Sequence, residues 1–149
     1  MNHSPAKILA EILVLGVAPY FTALEDGGAW PIYISSMPDG LGTSDNCAAI
    51  YDTAGEKEVR LLSGVSWFKY GFQIRIRSLV YLLGWVKAKA VLAFLGTVHN
   101  EAVVIEDDTY TIESIILTSP VFSLGAEPGT RRREIFTLNG LVRFLGGDL

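Results

Sequence analysis

The clearest pattern of apolar and polar positions runs through residues 71–96. Apolar and polar side chains alternate strictly over residues 72–77, in the order Phe72, Gln73, Ile74, Arg75, Ile76 and Arg77. Successive side chains of a strand point to opposite faces, so this stretch predicts a half-buried strand. Residues 79–95 then predict a helix, with Ser78 as its N-cap and Gly96 as its stop. A strand that feeds a helix so directly predicts half of a β-α-β unit, with the strand-like runs 102–106 and 110–118 lying against the helix.

The predicted helix is apolar around most of its circumference. Only Lys87 and Lys89 carry charge between residues 79 and 95. A helix that packs on a sheet by one face normally has a polar back. Part of its second face is therefore expected to meet another surface. That surface is a two-sided core within one subunit, a subunit interface or a ligand groove, and the pattern alone leaves the three open.

The remaining elements follow from caps, periodicity and turn residues. Ser4 and Pro5 open a helix that carries an apolar stripe and ends near Gly16. Strands are predicted at 30–34, 48–51, 102–106, 110–118 and 132–144, with turns at 52–55 and 107–108 and a loop at 120–130. Residues 56–70 fit two short strands or an extended arm. The order predicts an α+β fold, a mostly antiparallel twisted sheet with two helices packed on one side. A single domain spans residues 1–149, with the arm or hairpin near 56–70.

Composition adds an expectation of partners. The chain has 149 residues, of which 50% are hydrophobic and 19% charged, and its mean hydropathy is +0.34. So few polar groups cover a monomer poorly, which indicates surface buried by other proteins. The net charge of −4 argues against holding nucleic acid by neutralising phosphates, which requires clustered Lys and Arg.

Candidate chemistry is sparse. Cys47 is the single cysteine, so an intrachain disulfide is excluded, and its expected role is that of a small apolar filler. His3 and His99 lie far apart, with His99 expected in a loop, and the acidic run 106–108 is interpreted as a solvated turn rather than a cation site. No catalytic residue, metal or cofactor is expected. No uninterrupted apolar run reaches the ~18 residues of a membrane span, so we expect a soluble, unprocessed chain.

Arginines form two groups with two open interpretations. One group, Arg75 and Arg77, lies on the polar face of the strand at 72–77. The other group, residues 131–133, lies where a loop enters the last strand. Each is either solvated and paired with Glu127, Glu134 or Asp52, or forms a carboxylate-binding fork at an interface. In an extended segment the first and third arginines of the second group project to one side. With the predicted arm, the candidate interface residues are Arg131, Arg132, Arg133, Glu58, Arg60, Trp67, Phe68, Arg75 and Arg77.

An ordered set of segments resembles a known family. The set comprises 46–55 (NCAAIYDTAG), 71–77 (GFQIRIR), the helix that follows with its Tyr81, 120–125 (PVFSLG) and 131–139 (RRREIFTLN). It resembles the tail terminator proteins of long-tailed bacteriophages, whose relatives are often labelled minor capsid proteins. The resemblance covers roughly residues 5–144. It departs from the family pattern at Ala54, at 126–128 and at Gly140, which affects loop geometry more than the fold.

The resemblance implies a structural virion protein and no enzyme. Such proteins form a homo-hexameric ring that caps the major tail tube protein, stops tube polymerisation and joins the tail to the head connector and neck. Assembly takes place in the host cytoplasm, no membrane is involved, and DNA passes through the lumen without specific binding. An acidic lumen suits that passage, because like charges repel. The alternatives are another ring-forming neck or head-closure protein, and a cytosolic small-ligand-binding α+β domain with Trp67, Phe68 and Tyr70 as pocket wall.

Overall fold

The computed structural model describes residues 1–15, 20–22, 30–39, 43–57, 68–129 and 132–145. These residues form two helices and seven strands, which confirms the predicted α+β class. In chain order they are α1 (Pro5–Val14), β1 (Ile32–Ile34), β2 (Cys47–Lys57), β3 (Phe68–Ser78), α2 (Tyr81–Thr97), β4 (His99–Ile105), β5 (Asp108–Leu117), β6 (Phe122–Ala126) and β7 (Glu134–Phe144).

The sheet has the order β1-β2-β3-β7-β5-β4, and β6 pairs separately with β7. Every pairing is antiparallel except that of β1 with β2. Three antiparallel pairings, β3–β7, β7–β5 and β5–β4, separate β3 from β4, so these two strands run in opposite directions. The expected β-α-β unit is therefore wrong, since such a unit needs parallel strands. Instead, α2 carries the chain over the sheet to an edge strand of opposite direction.

Both helices cover the same face of the sheet. In β3 this face carries Ile74 and Ile76, which are fully buried. Phe136 of β7 pairs with Ile76, and the rings of Tyr81 and Trp85 of α2 pack on it. α1 contacts β1 and β2 at one edge and β4 at the other, so the sheet curls around it. The prediction of two helices on one side of a mostly antiparallel sheet is confirmed.

The two helix starts follow different rules. Ser4 caps α1 as predicted, because its Oγ accepts a hydrogen bond of 3.2 Å from the backbone N–H of Lys7, and Pro5 is the first helical residue. Ser78 was predicted to cap α2 but belongs to β3, where it pairs with Glu134. Its hydroxyl accepts from the N–H of Val80 at 3.2 Å and donates to the carbonyl of Val80 at 2.8 Å. The hydroxyl thus closes a local turn, and Val80 takes the N-cap position without a side-chain bond.

Two predicted breaks are strands, and in each a glycine misled the prediction. The predicted turn at 52–55 belongs to β2, which continues to Lys57 with a register shift between Thr53 and Glu56. The shift brings Gly55 against β3, where a Cβ would lie 2.1 Å from the carbonyl oxygen of Lys69. The predicted loop at 120–130 contains β6, whose Gly125 has φ +86° at a second register shift. Glycine marks bulges here, as it often does in strands.

The β4–β5 hairpin is confirmed, with small changes at its ends. Its turn is formed by Glu106 and Asp107, one residue earlier than predicted, and Glu106 has φ +56°. His99, expected in a loop, begins β4. The predicted arm falls largely on residues 58–67, which lie outside the described residues. Its flanks are described, since Lys57 of β2 pairs with Phe68 of β3.

Candidate functional site

The N-terminal part of α2, with the two residues before it, exposes a continuous apolar surface. Six large apolar side chains there are between 49% and 65% exposed. We call this surface the α2 patch; it comprises Leu79, Val80, Tyr81, Leu82, Leu83 and Val86. No charged residue lies between 79 and 86. Within one chain the two-sided core therefore does not account for this part of α2.

The inner face of α2 explains why the large residues point outward. Its buried residues include Gly84 and Ala88, which let the helix lie close to the sheet. A Cβ on Gly84 would lie 2.5 Å from the Phe136 ring. With small residues inward, the bulky ones occupy the outer face. In the single chain Val91 is buried, Trp85 and Phe94 are half-buried, and Leu82, Leu83 and Val86 are exposed; their burial in an assembly stays a prediction.

Lys87, one of the two charges on α2, is engaged by its own chain. Its Nζ donates to the carbonyl of Tyr20 at 2.8 Å and lies over the rings of Phe21 and Trp30, at 5.5 and 5.1 Å. Burial lowers the pKa of this amine. Lys89, by contrast, is exposed. The outer face of α2 thus presents a single cation beside an apolar stripe.

A second apolar surface lies at the other end of α2. It is a cleft of about 400 Å³, which we call the α1–α2 cleft. It is lined by Ile12, Leu15, Phe94, Thr97, Val98, Glu101 and Ala102. Among the described residues of this lining, Glu101 supplies the only charged side chain. The cleft can accept apolar groups, with one cation near its acidic wall.

Arg77 lies on the face of the sheet opposite the helices and is fully buried. Its guanidinium donates to the carbonyl oxygens of Pro38 at 2.9 Å, Ser44 at 2.8 Å and Asp45 at 3.3 Å. Its Nη1 also lies 3.8 Å from Oε1 of Glu127. Arg77 therefore holds the segments around residues 38 and 44–45 against the second face of the sheet.

Arg133 completes this cluster. It is 4% exposed and pairs with Oε2 of Glu127 at 2.8 Å, with Asp39, and with Asp45 at 3.6 Å. Burial alone would lower the pKa of the Arg133 guanidinium, but the hydrogen bond to Asp39 and the nearby carboxylates raise it above its ordinary value. We call Arg77, Arg133, Asp39, Asp45 and Glu127 the arginine cluster. The structure shows pairing with Glu127 for both arginines, as one of the two open interpretations held, but both are buried rather than solvated.

The other predicted interface residues are dispersed. Arg75 is half-buried, donates from Nε to Gln73 at 2.8 Å and lies 5.0 Å from the centre of the Tyr51 ring. Arg132 is exposed and has φ +45°, so the backbone is not extended at this residue, as the expected alternation of side chains required. The backbone of Phe68 pairs with that of Lys57 in the sheet. Glu58, Arg60, Trp67 and Arg131 lie outside the described residues.

The potentially reactive side chains of Cys47 and His3 lie in packed or hydrogen-bonded surroundings. Cys47 is fully buried, and burial raises the pKa of its thiol. Nδ1 of His3 lies 2.9 Å from the hydroxyl of Tyr110. Across the described ranges, no three His, Cys, Asp or Glu residues are grouped so that they could hold a metal ion. In the same ranges, no helix has both the length and the apolar character needed to cross a membrane.

Sequence reasoning missed Gly84 and the carboxylates Asp39 and Asp45. A signal existed for Gly84, because glycine within a helix costs about 1 kcal/mol relative to alanine and usually has a packing reason. Asp39 lies in a turn-like run, which gives no sign that it pairs with a residue 94 positions away.

Comparisons with known proteins give a fold. No protein-family model matches the sequence, and no curated protein matches it. Among solved structures, a chain from "Virion of native gene transfer agent (GTA) particle" aligns with a TM-score of 0.55 and 11% sequence identity. The alignment covers 95% of this chain and 95% of that chain. The shared fold thus extends over nearly the whole of both proteins.

Proposed function

We propose that this protein is a structural component of a phage-like virion, and that it acts there as a tail terminator. Copies of the chain form a hexameric ring that caps the tail tube, stops its polymerisation and joins it to the head connector. The protein then resides in the tail and neck of the virion after assembly in the host cytoplasm. This role requires no cofactor and no catalytic residue.

The α2 patch carries the proposal, together with a fold shared over 95% of each chain with a virion component. Large uncovered apolar patches are rare on monomers and mark contact sites for other proteins. The ordered segments that resemble tail terminators support the finer assignment. Two arginines of the proposed interface set, Arg77 and Arg133, bind carboxylates of their own chain. The assembly surface is therefore mainly apolar.

The charge of the chain is compatible with a lumen for DNA. The net charge is −4, and the most enclosed arginines are neutralised by three carboxylates. A channel of low positive charge lets DNA pass, because retention depends on Lys and Arg contacts to phosphate. DNA binding by the purified protein is therefore expected to be negligible at physiological salt.

Mass and shape in the microscope test the proposal. Purified protein, alone or added to tail tubes, should give six-fold rings by negative-stain imaging and the mass of a hexamer by sedimentation. In the phage that encodes it, removing the protein should give tubes of uncontrolled length. Monomers both free and with tubes, and tubes of normal length without the protein, would contradict it.

The arm near 56–70 is proposed to contact a neighbouring copy or the tube. Lys57 and Phe68 pair across β2 and β3, so the two ends of this segment are adjacent and a short turn can join them. Replacing residues 58–66 by such a turn should leave the fold intact and weaken assembly. Rings and capped tubes that form at unchanged protein concentration would remove the arm from the interface.

One observation, the α1–α2 cleft, favours the alternative function of binding a small ligand. Its lining residues do not include Tyr70, which was expected to form part of the pocket wall. A monomer that binds a small apolar molecule in the cleft would favour this second function. The same sedimentation measurement separates it from the ring.

A further inference from the structure

Two apolar surfaces of this chain, the α2 patch and the α1–α2 cleft, differ in shape. The patch is a ridge of large side chains, and the cleft is a hollow of about 400 Å³ lined mostly by apolar groups. We propose that they are the two halves of one contact, in which the α2 patch of one copy occupies the α1–α2 cleft of the next. The inference rests on the self-association in the proposed function and names the surfaces that produce it.

The positions of the two surfaces make the contact head-to-tail. Leu82, in the patch, and Phe94, in the cleft, are twelve residues apart on α2, which is about 18 Å along the helix axis at 1.5 Å per residue. A straight helix cannot bring its own two ends together, so the patch of one copy can fill only the cleft of another. Contacts between two different surfaces of identical subunits generate closed rings when the rotation closes.

Polarity restricts what the cleft can hold. Five of its seven lining residues, Ile12, Leu15, Phe94, Val98 and Ala102, are apolar, and a charged group buried against them without a partner would be costly. The patch supplies uncharged groups of the required kind. A cleft of this size lies within the ~300–1,000 Å³ typical of sites that enclose apolar groups.

A pair of opposite charges identifies the occupant as a second copy. Lys89 lies three residues after Val86 and seven after Leu82, on the same stripe of α2. It is exposed, as is Glu101 in the wall of the cleft. Neither makes a salt bridge with another described residue. When the patch of one copy occupies the cleft of the next, Lys89 comes to the side of Glu101, so the ridge and the hollow also match in charge.

Two variants that each destroy one half of the contact test the inference. The patch variant carries Leu82→Glu and Leu83→Glu, and the cleft variant carries Leu15→Glu and Ala102→Glu. All four positions are exposed in the single chain, so both variants should fold, as circular dichroism and thermal melts would verify. Each alone should be monomeric, with self-association on the order of a hundredfold weaker, because the new carboxylates would be buried unpaired.

The decisive measurement is a mixture of the two variants. The cleft variant retains an intact patch, and the patch variant retains an intact cleft. A head-to-tail contact therefore predicts that the mixture forms a one-to-one heterodimer by sedimentation and grows no further. A symmetric contact of patch with patch predicts instead that the cleft variant dimerises without the patch variant, and a patch that serves only the tube predicts two monomers in the mixture.

Charge exchange and a matched control complete the test. Lys89→Glu alone should weaken association by up to about fivefold, the scale of an exposed ion pair, and adding Glu101→Lys should restore it. Ile116→Glu places the same charge on an exposed apolar residue outside both surfaces, and it should leave association unchanged. If the double variant does not restore association, the inferred contact between Lys89 and Glu101 is refuted.

The outcomes separate this inference from the proposed function. Six-fold rings that persist in either the patch or the cleft variant overturn the head-to-tail contact and leave the tail terminator role standing. Monomeric mixtures of the two variants, with wild-type rings present, do the same. A wild-type protein that is monomeric at its highest soluble concentration overturns the contact directly, and its effect on tubes then decides the proposed function independently.

Discussion

Arg77 and Leu79 are two residues apart, yet the structure treats them in opposite ways. The guanidinium of Arg77 is fully buried, whereas Leu79 at the start of the α2 patch is half exposed. One lies on the second face of the sheet, where the segments around 38 and 45 cover it. The other has a side chain that the described residues leave half exposed. A charged group is enclosed and an apolar one is left in water within the same turn of chain.

The contrast shows that burial of a side chain in this protein depends on whether another segment covers it, rather than on its polarity. Arg77 is buried at low cost because three carbonyl oxygens and Glu127 replace its water. Buried charges persist only when they are paired and hydrogen-bonded. The described residues leave the α2 patch uncovered, which is why we propose it as the place for a partner. Four predictions test the two sides of this comparison.

Replacing Arg77 should have the largest effect on stability. Arg77→Met leaves three carbonyl oxygens without their donor and Glu127 without one of its cations, and breaking a buried pair in this way costs about 3–5 kcal/mol. Urea unfolding should show that loss. The control is Arg75→Met on the same strand, half-buried and bonded only to Gln73 among the described hydrogen bonds, which should cost no more than about 1 kcal/mol. Equal losses would mean that the arginine cluster does not support the fold.

Gly84 and Gly96 should respond to alanine with opposite signs. Gly84→Ala gains about 1 kcal/mol of helix propensity, but its Cβ would meet Phe136 at 2.5 Å and Ser78 at 2.8 Å. Overpacking of this kind costs about 1–3 kcal/mol, so a net loss of about 1–2 kcal/mol is expected. A Cβ on Gly96 would lie 3.8 Å from Cδ1 of Leu117, an ordinary contact distance, and alanine should stabilise the protein there. A stabilising Gly84→Ala would show that α2 does not press on the sheet.

Cys47 reports on how well the arginine-cluster side of the sheet is closed. Burial raises the pKa of its thiol above that of the unfolded chain, so the folded state holds the proton more tightly. Stability from this group is complete below the ordinary pKa of about 8.5 and declines as pH rises through the folded value, by at most ~1.4 kcal/mol per pH unit. Cys47→Ala should remove that part of the slope in unfolding measured from pH 7 to 10. If stability depends on pH with an identical slope in the variant, water reaches the Cys47 thiol in the folded protein.

The smallest effect is expected on the α2 patch. Leu82→Gln replaces a side chain that is 65% exposed, so the free energy of unfolding should change by less than about 0.5 kcal/mol. Thermal and urea unfolding of the monomer would measure it. A loss above ~1 kcal/mol would mean that this part of α2 already packs on its own chain, and the contrast with Arg77 would disappear.

The sequence predicts the fold best where one element decides the pattern. α1, β3, β7 and the β4–β5 hairpin were all identified because caps, alternation and turn residues agree there. The errors at β2 and β6 share a cause, since a bulge and a turn both favour glycine. Only the partner strand distinguishes them, as at Gly55, where the backbone of β3 leaves no room for a side chain.

The surfaces were predictable only in part. The absence of charge on α2 indicated a second contact for the helix, which the exposure of the α2 patch supports. The burial of Arg77 gave no local signal, because an arginine that alternates with isoleucines looks like a residue on the solvent side. What covers it comes from about 32 to 50 residues away in sequence. Such long-range cover is invisible to any pattern read along a single strand.

The position of β7 has a consequence for how the protein is made. Of the seven described strands this one is synthesised last, yet β3, β5 and β6 all pair with it. A nascent chain that ends before residue 134 has two separate pieces of sheet and no strand to join them. The sheet can therefore be completed only after residues 134–144 have been synthesised, and contacts so distant in sequence form slowly. Chains that terminate before residue 134 cannot complete the sheet and are therefore expected not to fold.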